Sequence, residues 1–264
     1  MEPKGTALVT GASRGIGRAV AQELAARGFD TIATMRNLDD GAGLDNCTVQ
    51  RLDVDDPASY VIPDGLKVVV NNAGVESDNL PLELMPDAMW RKLFETNVFG
   101  LVSVTKAAIP VLRNAGGGVI CNVTSSSLLA PVPFLGAYRA SKAAVSAICE
   151  SLRTEVAPFG IRVVEIMPGP IETDMLLTSE RPSPAIDDEH YHDLAARMWS
   201  TREHVKALYT PAPEAARRIV DAICDDDGPM RYGCDDMSEG MLTAWRGAES
   251  DEVWMRSMGS AFNP

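Results

Sequence analysis

Tyr138 and Lys142 stand four residues apart in Tyr138-Arg139-Ala140-Ser141-Lys142. Side chains at that separation share one face of a helix, so the phenol and the amine point the same way. A tyrosine hydroxyl ionises at a pH of about 10 in water, and a neighbouring ammonium favours the phenolate. Such a pair can exchange a proton with a substrate oxygen near neutral pH. The spacing is also that of an ordinary surface pair, so its meaning rests on what else the chain carries.

A second feature suits anions. Thr10-Gly11-Ala12-Ser13-Arg14-Gly15-Ile16-Gly17 lies between a strand-like run, Thr6 to Thr10, and a helical stretch with Ile16, Val20 and Leu24 on one side. Glycines there permit positive φ and close backbone approach. Gly11, Ser13, Arg14, Gly15, Ile16 and Gly17 are thus candidates to cradle a pyrophosphate on a helix N-terminus. The spacing departs from the GxGxxG fingerprint, and a tight turn without ligand would use the same glycines.

The next strand ends Ala33-Thr34-Met35-Arg36-Asn37, placing Arg36 where dinucleotide folds hold the adenosine ribose. An acid there would hold a ribose 2′-hydroxyl and repel a 2′-phosphate. Arg36, helped by Arg14, can instead grip the phosphate through paired charge-assisted bonds. The expected cofactor is NADP(H). NAD(H) is the alternative, because Asp39 and Asp40 follow closely.

These groups need a scaffold, and the pattern supplies one. Strand-like runs Asp30–Thr34, Val49–Leu52, Lys67–Val70, Val119–Val123 and Ile161–Ile166 alternate with helical stretches, the longest being Pro86–Asn114 and Gly136–Pro158. Gly28 suits the C-cap of the first helix, and Gly116-Gly117-Gly118 makes a loop. Apolar strands alternating with helices predict an α/β fold: a doubly wound parallel sheet, Rossmann-like, with helices on both faces. The whole of 1–264 reads as one domain.

Pro57, Pro63 and Gly65 leave room for one short helical turn between Asp53 and Lys67. Residues 178–213, with Pro182, Pro184, Pro211 and Pro213, read as a variable lid or loop. A helix over Glu214–Asp225, a short strand near Met230–Cys234 and a helical tail over 235–264 complete the pattern.

Composition narrows the function classes. At 45% hydrophobic, the 264 residues can bury a core, which excludes global disorder. A net charge of −13 matches neither nucleic acid nor an anionic membrane, so any anionic ligand must meet a local cluster of donors. No apolar run approaches the roughly 18 residues of a membrane span, and Met1-Glu2-Pro3-Lys4 lacks a secretory pattern; a soluble cytoplasmic protein is expected. Cys47, Cys121, Cys149, Cys224 and Cys234 are odd in number and unpaired in spacing, which suits reduced thiols better than disulfides or zinc. His190-x-His192 beside Asp187, Asp188 and Glu189 reads as solvated side chains on a polar lid, and no metal is expected.

Four motifs occur together: Thr10-Gly11-x-x-x-Gly15-x-Gly17, Asn71-Asn72-Ala73-Gly74, Tyr138-x-x-x-Lys142 and Pro168-Gly169. In order and separation they resemble those of the short-chain dehydrogenase/reductase family, over Thr6 to Met175. Ser125, 13 residues before Tyr138, and Asn97, in Thr96-Asn97-Val98-Phe99-Gly100, match two further family positions. The resemblance implies a catalytic set of Asn97, Ser125, Tyr138 and Lys142. Tyr138 would be the general acid in reduction and the base in oxidation, and Ser125 would hold the substrate oxygen. Lys142 would bind the nicotinamide ribose and tune Tyr138, while Asn97 would anchor a water in the proton path.

By the same resemblance Asp53 and Val54 would meet the adenine, and Asn72 and Ala73 the adenosine side. Gly74 would let the backbone pass close to the cofactor. Pro168, Gly169, Ile171 and Thr173 would face the nicotinamide, the last two bonding its carboxamide. Arg36 fits the family's NADP-preferring pattern. The implied reaction interconverts a ketone or aldehyde and an alcohol, read as carbonyl reduction with NADP(H). The alternatives are an NAD-linked dehydrogenase working oxidatively and a dinucleotide-sensing protein without turnover.

The expected partner is a small carbonyl or alcohol substrate, apolar or cyclic. Met175, Leu176, Leu177, Met198 and Trp199 offer it apolar contact on one side, and Pro131, Val132 and Phe134 on the other. A homodimer or homotetramer through the two long helices is implied. Trp245 and Trp254 are expected to dock on the body or on a neighbouring subunit.

Overall fold

Strands with apolar residues at successive positions must bury both faces, which needs a helical layer on each side of the sheet. The computed structural model describes residues 1–173, 176, 182–260 and 262. Its main sheet contains β1 (Thr6–Val9), β2 (Asp30–Met35), β3 (Thr48–Arg51), β4 (Leu66–Asn71), β5 (Gly118–Val123), β6 (Ile161–Ile166) and β9 (Arg231–Tyr232). All pairings are parallel, in the order β3-β2-β1-β4-β5-β6-β9. This is the doubly wound, Rossmann-like sheet that the alternation predicts.

Alternation along each strand divides the core in two. Val9, Val70, Cys121 and Ile166 pack with Val20 and Leu24 of α1 (Gly15–Arg27) and with Ile219 and Val220 of α6 (Ala212–Cys224). Leu8, Val69, Ile120 and Val163 turn to the other face, against Leu112 of α3 (Leu101–Asn114) and Val145 and Cys149 of α4 (Gly136–Val156). Each such buried aliphatic side chain contributes about 1.5–3 kcal/mol. Gly28 closes α1 in the left-handed conformation, φ 108°.

Two features of the sheet place the site. Strand order reverses between β1 and β4, and open α/β sheets bind ligands beyond the carboxyl ends of the strands at such a switch. Strands β5 and β6 run in register from Gly118↔Ile161 to Val123↔Ile166, so their following loops leave side by side. Thr124 N donates to Ile166 O at 2.8 Å and Ser126 N to Pro168 O at 2.9 Å, joining those loops.

The single helix predicted over Pro86–Asn114 is corrected. It is α2 (Asp87–Phe94), a π segment (Glu95–Gly100) and then α3. The wider turn of the π segment holds Thr96, Asn97 and Val98 buried. Gly100 passes so close to the β3–β4 connection that a Cβ there would stand 2.9 Å from Val54 Cγ2. The abbreviated crossover contains one short 3-10 turn, Pro57–Ser59, as the prolines predict.

Of the lid predicted over 178–213, residues 182 onward are described. A short turn, Pro184–Asp187, leads into α5 (His192–Val205), and β8 (Thr210–Pro211) pairs with β7 (Ile171–Glu172). Phe134, Ala185 and Ala195 form a buried cluster that fastens this lid to the body. Phe134 adopts φ +64°, a strained value for a bulky residue, and its ring meets Tyr191 edge-on at 5.9 Å.

The tail forms α7 (Asp236–Arg246) and α8 (Asp251–Gly259). Trp254 Nε1 donates to Leu129 O at 2.6 Å, and Trp245 packs beside Leu129, Met167 and Leu242. Both tryptophans therefore dock on their own chain's body. Among the described residues, no helix is long and apolar enough to cross a membrane.

Candidate active site

The glycine turn is built by the residues around it. Thr10 Oγ1 accepts from Asn72 N at 3.0 Å and Ala73 N at 3.1 Å, which ties the turn to the end of β4. Asn72 Nδ2 donates to Thr10 O at 3.0 Å and Gly11 O at 3.2 Å. Its amide is thus spent on holding the turn. Gly11 has φ +66°, and a Cβ there would lie 2.8 Å from Ala73 Cα. Gly17 lies beneath the turn, where a Cβ would stand 2.4 Å from Gly11 O.

A cleft of about 580 Å³ opens above this turn and across the ends of β1, β4, β5 and β6. Along the glycine turn its wall includes Gly11, Ser13, Arg14, Gly15 and Ile16, with Arg36, Asp53 and Val54 beyond the ends of β2 and β3. Asn72, Ala73 and Gly74 line it after β4, and Pro168, Gly169, Ile171 and Thr173 after β6. Ser125, Tyr138 and Lys142 line the remaining side. Every residue expected to act in catalysis or to bind the cofactor reaches this one wall except Gly17 and Asn97, which lie behind it.

Asn97 is 1% exposed, and its amide is fully engaged. Oδ1 accepts from Val75 N at 2.8 Å, while Nδ2 donates to Val75 O and Ser141 Oγ, both at 3.0 Å. Ser125 caps a 3-10 turn, Ser126–Leu129, its Oγ accepting from Ser127 N at 3.2 Å. Arg139, next to Tyr138, donates from Nε to Ser127 O at 2.8 Å and so holds the serine turn against α4. Asp235, fully buried, accepts from Gly169 N at 2.7 Å and anchors the Pro168-Gly169 turn to the start of α7.

The electrostatics of the pair differ from the simple expectation. Tyr138 borders the cleft, yet burial pushes its hydroxyl up to about 12, a hydrogen bond with Ser125 pulling it back and the Glu76 charge adding to the rise. Burial lowers Lys142 to about 8. Its Nζ donates to Val123 O at 2.9 Å and stands 5.8 Å from the Tyr138 ring centroid. A charge near the phenol should lower it, but here burial is the first cause of the shift in both groups and raises the phenol instead. The neutral phenol is ready to give a proton, and the amine loses its own only slightly above neutral pH.

The residues also fit the expected dinucleotide. Arg14 precedes helix α1 at its N-cap position without a side-chain cap, and the first turn holds no acid, so the helix N–H groups stay open to a phosphate. Arg14 and Arg36 are exposed where they line the cleft. A Cβ at Gly15 would stand 3.2 Å from Thr173 Cγ2, so the glycine keeps the way past Thr173 open.

The apolar wall is only partly the one expected. Val132, Leu176 and Met198 line the cleft. Pro131, Phe134 and Trp199 do not; Phe134 anchors the lid, and Lys206 Nζ lies over the Trp199 ring at 5.8 Å. Met175 and Leu177 lie outside the described residues. The tail supplies what was missed: Met237, Met241, Met258 and Phe262 complete the wall. The separation of Met237 and Met241 by four residues puts both on one helix face, a signal that was present in the sequence. Ser127 Oγ and the Tyr209 hydroxyl are buried on the cleft wall with no hydrogen-bond partner among the described residues. His190 and His192 lie on the lid, His192 Nδ1 within 2.6 Å of Ile186 O.

Comparison with known proteins agrees with this geometry. The family model for short chain dehydrogenases matches residues 5–183. The chain belongs to the short-chain dehydrogenase family and is an oxidoreductase acting on CH–OH groups. An uncharacterised oxidoreductase of Bacillus subtilis is 38% identical over 218 residues, spanning 75% of this chain and 76% of that one. The NADPH-dependent 1-acyldihydroxyacetone phosphate reductase of Saccharomyces cerevisiae is 33% identical over 246 residues, 87% of this chain and 82% of its own. A crystal structure of a short chain dehydrogenase from Burkholderia cenocepacia, in complex with NADP, matches with a TM-score of 0.79 at 23% identity over the full length of both chains. At that identity the likeness is one of fold.

Proposed function

We propose that this protein uses NADP(H) to interconvert an apolar ketone or aldehyde and its alcohol, working as a carbonyl reductase. The observation that carries the reading is the convergence of Ser125, Tyr138 and Lys142 on the wall that also holds the glycine turn and Arg36. Arg36 and Arg14 would hold the 2′-phosphate, the α1 N-terminus the pyrophosphate, and Asp53 and Val54 the adenine. Lys142 would hold the nicotinamide ribose, and Ile171 and Thr173 the carboxamide. A bound nicotinamide supplies the hydride.

The chain's own part is proton transfer and positioning. Ser125 donates to the carbonyl oxygen and stabilises its growing charge. Tyr138, neutral at working pH, gives its proton to that oxygen. Lys142 offsets the phenolate left behind, and Asn97 fixes the main chain at Val75 behind the pair. Met198, Met237, Met241 and Val132 favour an apolar substrate body. The single-domain reading extends to the whole chain, lid and tail included, and the assembly would be a homodimer or homotetramer.

The test is NADPH oxidation over a panel of aliphatic and cyclic ketones and aldehydes. Tyr138→Phe should lose turnover by at least about a hundredfold, the lower end of what general-acid catalysis supplies, while NADPH still binds. A Tyr138→Phe variant with undiminished turnover overturns the assignment.

A further inference from the structure

Glu165 has no solvent exposure, although its neighbours on β6, Val163, Val164 and Ile166, are all apolar. A buried carboxylate is seldom retained for stability, since a well-packed hydrophobic residue commonly does as well or better. What distinguishes this one is what it joins. Its Oε1 accepts from Thr124 Oγ1 at 2.9 Å. Its Oε2 accepts from Ser146 Oγ at 3.1 Å and from Arg231 Nε at 2.9 Å. Arg231 also donates to Ser146 Oγ at 3.0 Å and to Glu150 on the same helix.

Thr124 immediately precedes Ser125. Ser146 lies four residues beyond Lys142 and eight beyond Tyr138, on the same face of α4. One carboxylate therefore grips both the strand end that presents Ser125 and the helix that presents Tyr138 and Lys142. Thr124 Oγ1 also lies 3.0 Å from Ile166 O, but the charged acceptor is the stronger of the two. Glu165 does not line the cleft, so its influence on the reaction passes through these contacts.

We propose that Glu165, braced by Arg231, is a positioning residue that sets the separation of Ser125 from Tyr138 through Thr124 and Ser146. The proposal rests on the catalytic reading above, and one of its readouts needs no turnover. Thr124→Val keeps the shape and removes the hydroxyl; Thr124→Ser keeps the hydroxyl. With 13C-labelled tyrosine, the Tyr138 Cζ resonance, assigned by its loss in Tyr138→Phe, reports the Ser125 hydrogen bond directly.

The expected result is a displaced Tyr138 resonance and about a tenfold lower kcat in Thr124→Val. The KM for NADPH should stay within twofold, and Thr124→Ser should restore both readouts. If Thr124→Val does not fold, Ser146→Ala carries the same comparison, because Arg231 remains on the carboxylate. An unmoved Tyr138 resonance overturns the proposal whether or not a ketone is turned over. So does an unchanged kcat, even with a lowered melting temperature, for that would make the Glu165 contacts purely structural. A wild-type protein inactive on every carbonyl counts against the catalytic reading alone, and the resonance then decides the clamp by itself.

Discussion

Gly74 lies against the side chain of Asn97: a Cβ at position 74 would stand 3.1 Å from Asn97 Oδ1 and 3.6 Å from Lys142 Nζ. Asn97 has little freedom to withdraw, since its amide already makes three hydrogen bonds to Val75 and Ser141. The glycine therefore allows the chain leaving β4 to pass between the π segment and the catalytic helix.

Gly74→Ala should accordingly act on the chemistry more than on the fold. Forcing one methyl into a packed site costs about 1–3 kcal/mol, which a thermal or urea unfolding curve will show. The displaced Asn97 amide, packed behind the catalytic pair, should lower kcat by about tenfold, since misplacement of about 1 Å in a catalytic constellation can cost a hundredfold. Unchanged kcat beside a measurable loss of stability would mean that Asn97 only supports the fold.

Cofactor choice gives a second prediction. Arg36 is exposed on the cleft wall just beyond β2, and Arg14 is exposed at the start of α1. A charge-assisted bond is worth about 1.5–3 kcal/mol, which converts to roughly ten- to a hundredfold in affinity. Arg36→Asp should raise the Kd for NADPH by that factor and leave or improve the Kd for NADH, as measured by quenching of intrinsic tryptophan fluorescence. An unaltered NADPH:NADH ratio would remove Arg36 from the phosphate site.

The parts legible in the sequence are those fixed locally. Strand β6 runs over Ile161–Ile166 as predicted because Gly160 and Pro168 bound a run in which Ile161, Val163, Val164 and Ile166 are apolar and only Arg162 and Glu165 are charged. Tyr138 and Lys142 share a helix face because four-residue spacing guarantees it. The π segment was not legible: at its end Gly100 lies against Val54, two residues brought together only by the fold. The same holds for Met258 and Phe262, whose place on the cleft wall depends on Trp254 docking the tail against Leu129. Phe134 has the composition of a substrate contact, but its +64° backbone turns it toward the lid. The raised Tyr138 value was missed for a different reason: spacing shows that a charge is near, and burial decides how much that charge counts.

Burial of Lys142 makes stability depend on pH in a definite direction. In the cofactor-free protein its value falls from the ordinary 10.5 to about 8. Between those two values the unfolded chain holds a proton on this amine that the folded chain has released. The unfolded state binds more protons there, so stability rises from about pH 8 to 10.5. Below pH 8 the folded state bears the full cost of the buried charge, about 3 kcal/mol for a shift of this size. Tyr138 acts in the opposite sense and at higher pH. Its folded value of about 12 lies above the ordinary 10, so the unfolded chain loses that proton first and stability falls across the interval. Lys142→Met removes the first dependence and leaves the second. Urea unfolding should find the variant more stable than wild type at pH 7, by up to about 3 kcal/mol less the lost bond to Val123 O. That advantage should shrink steadily towards pH 10. A difference that stays constant across this range would show that Lys142 keeps its charge in the folded protein at no cost, and its place in the proton transfer would then have to be argued without a lowered pKa.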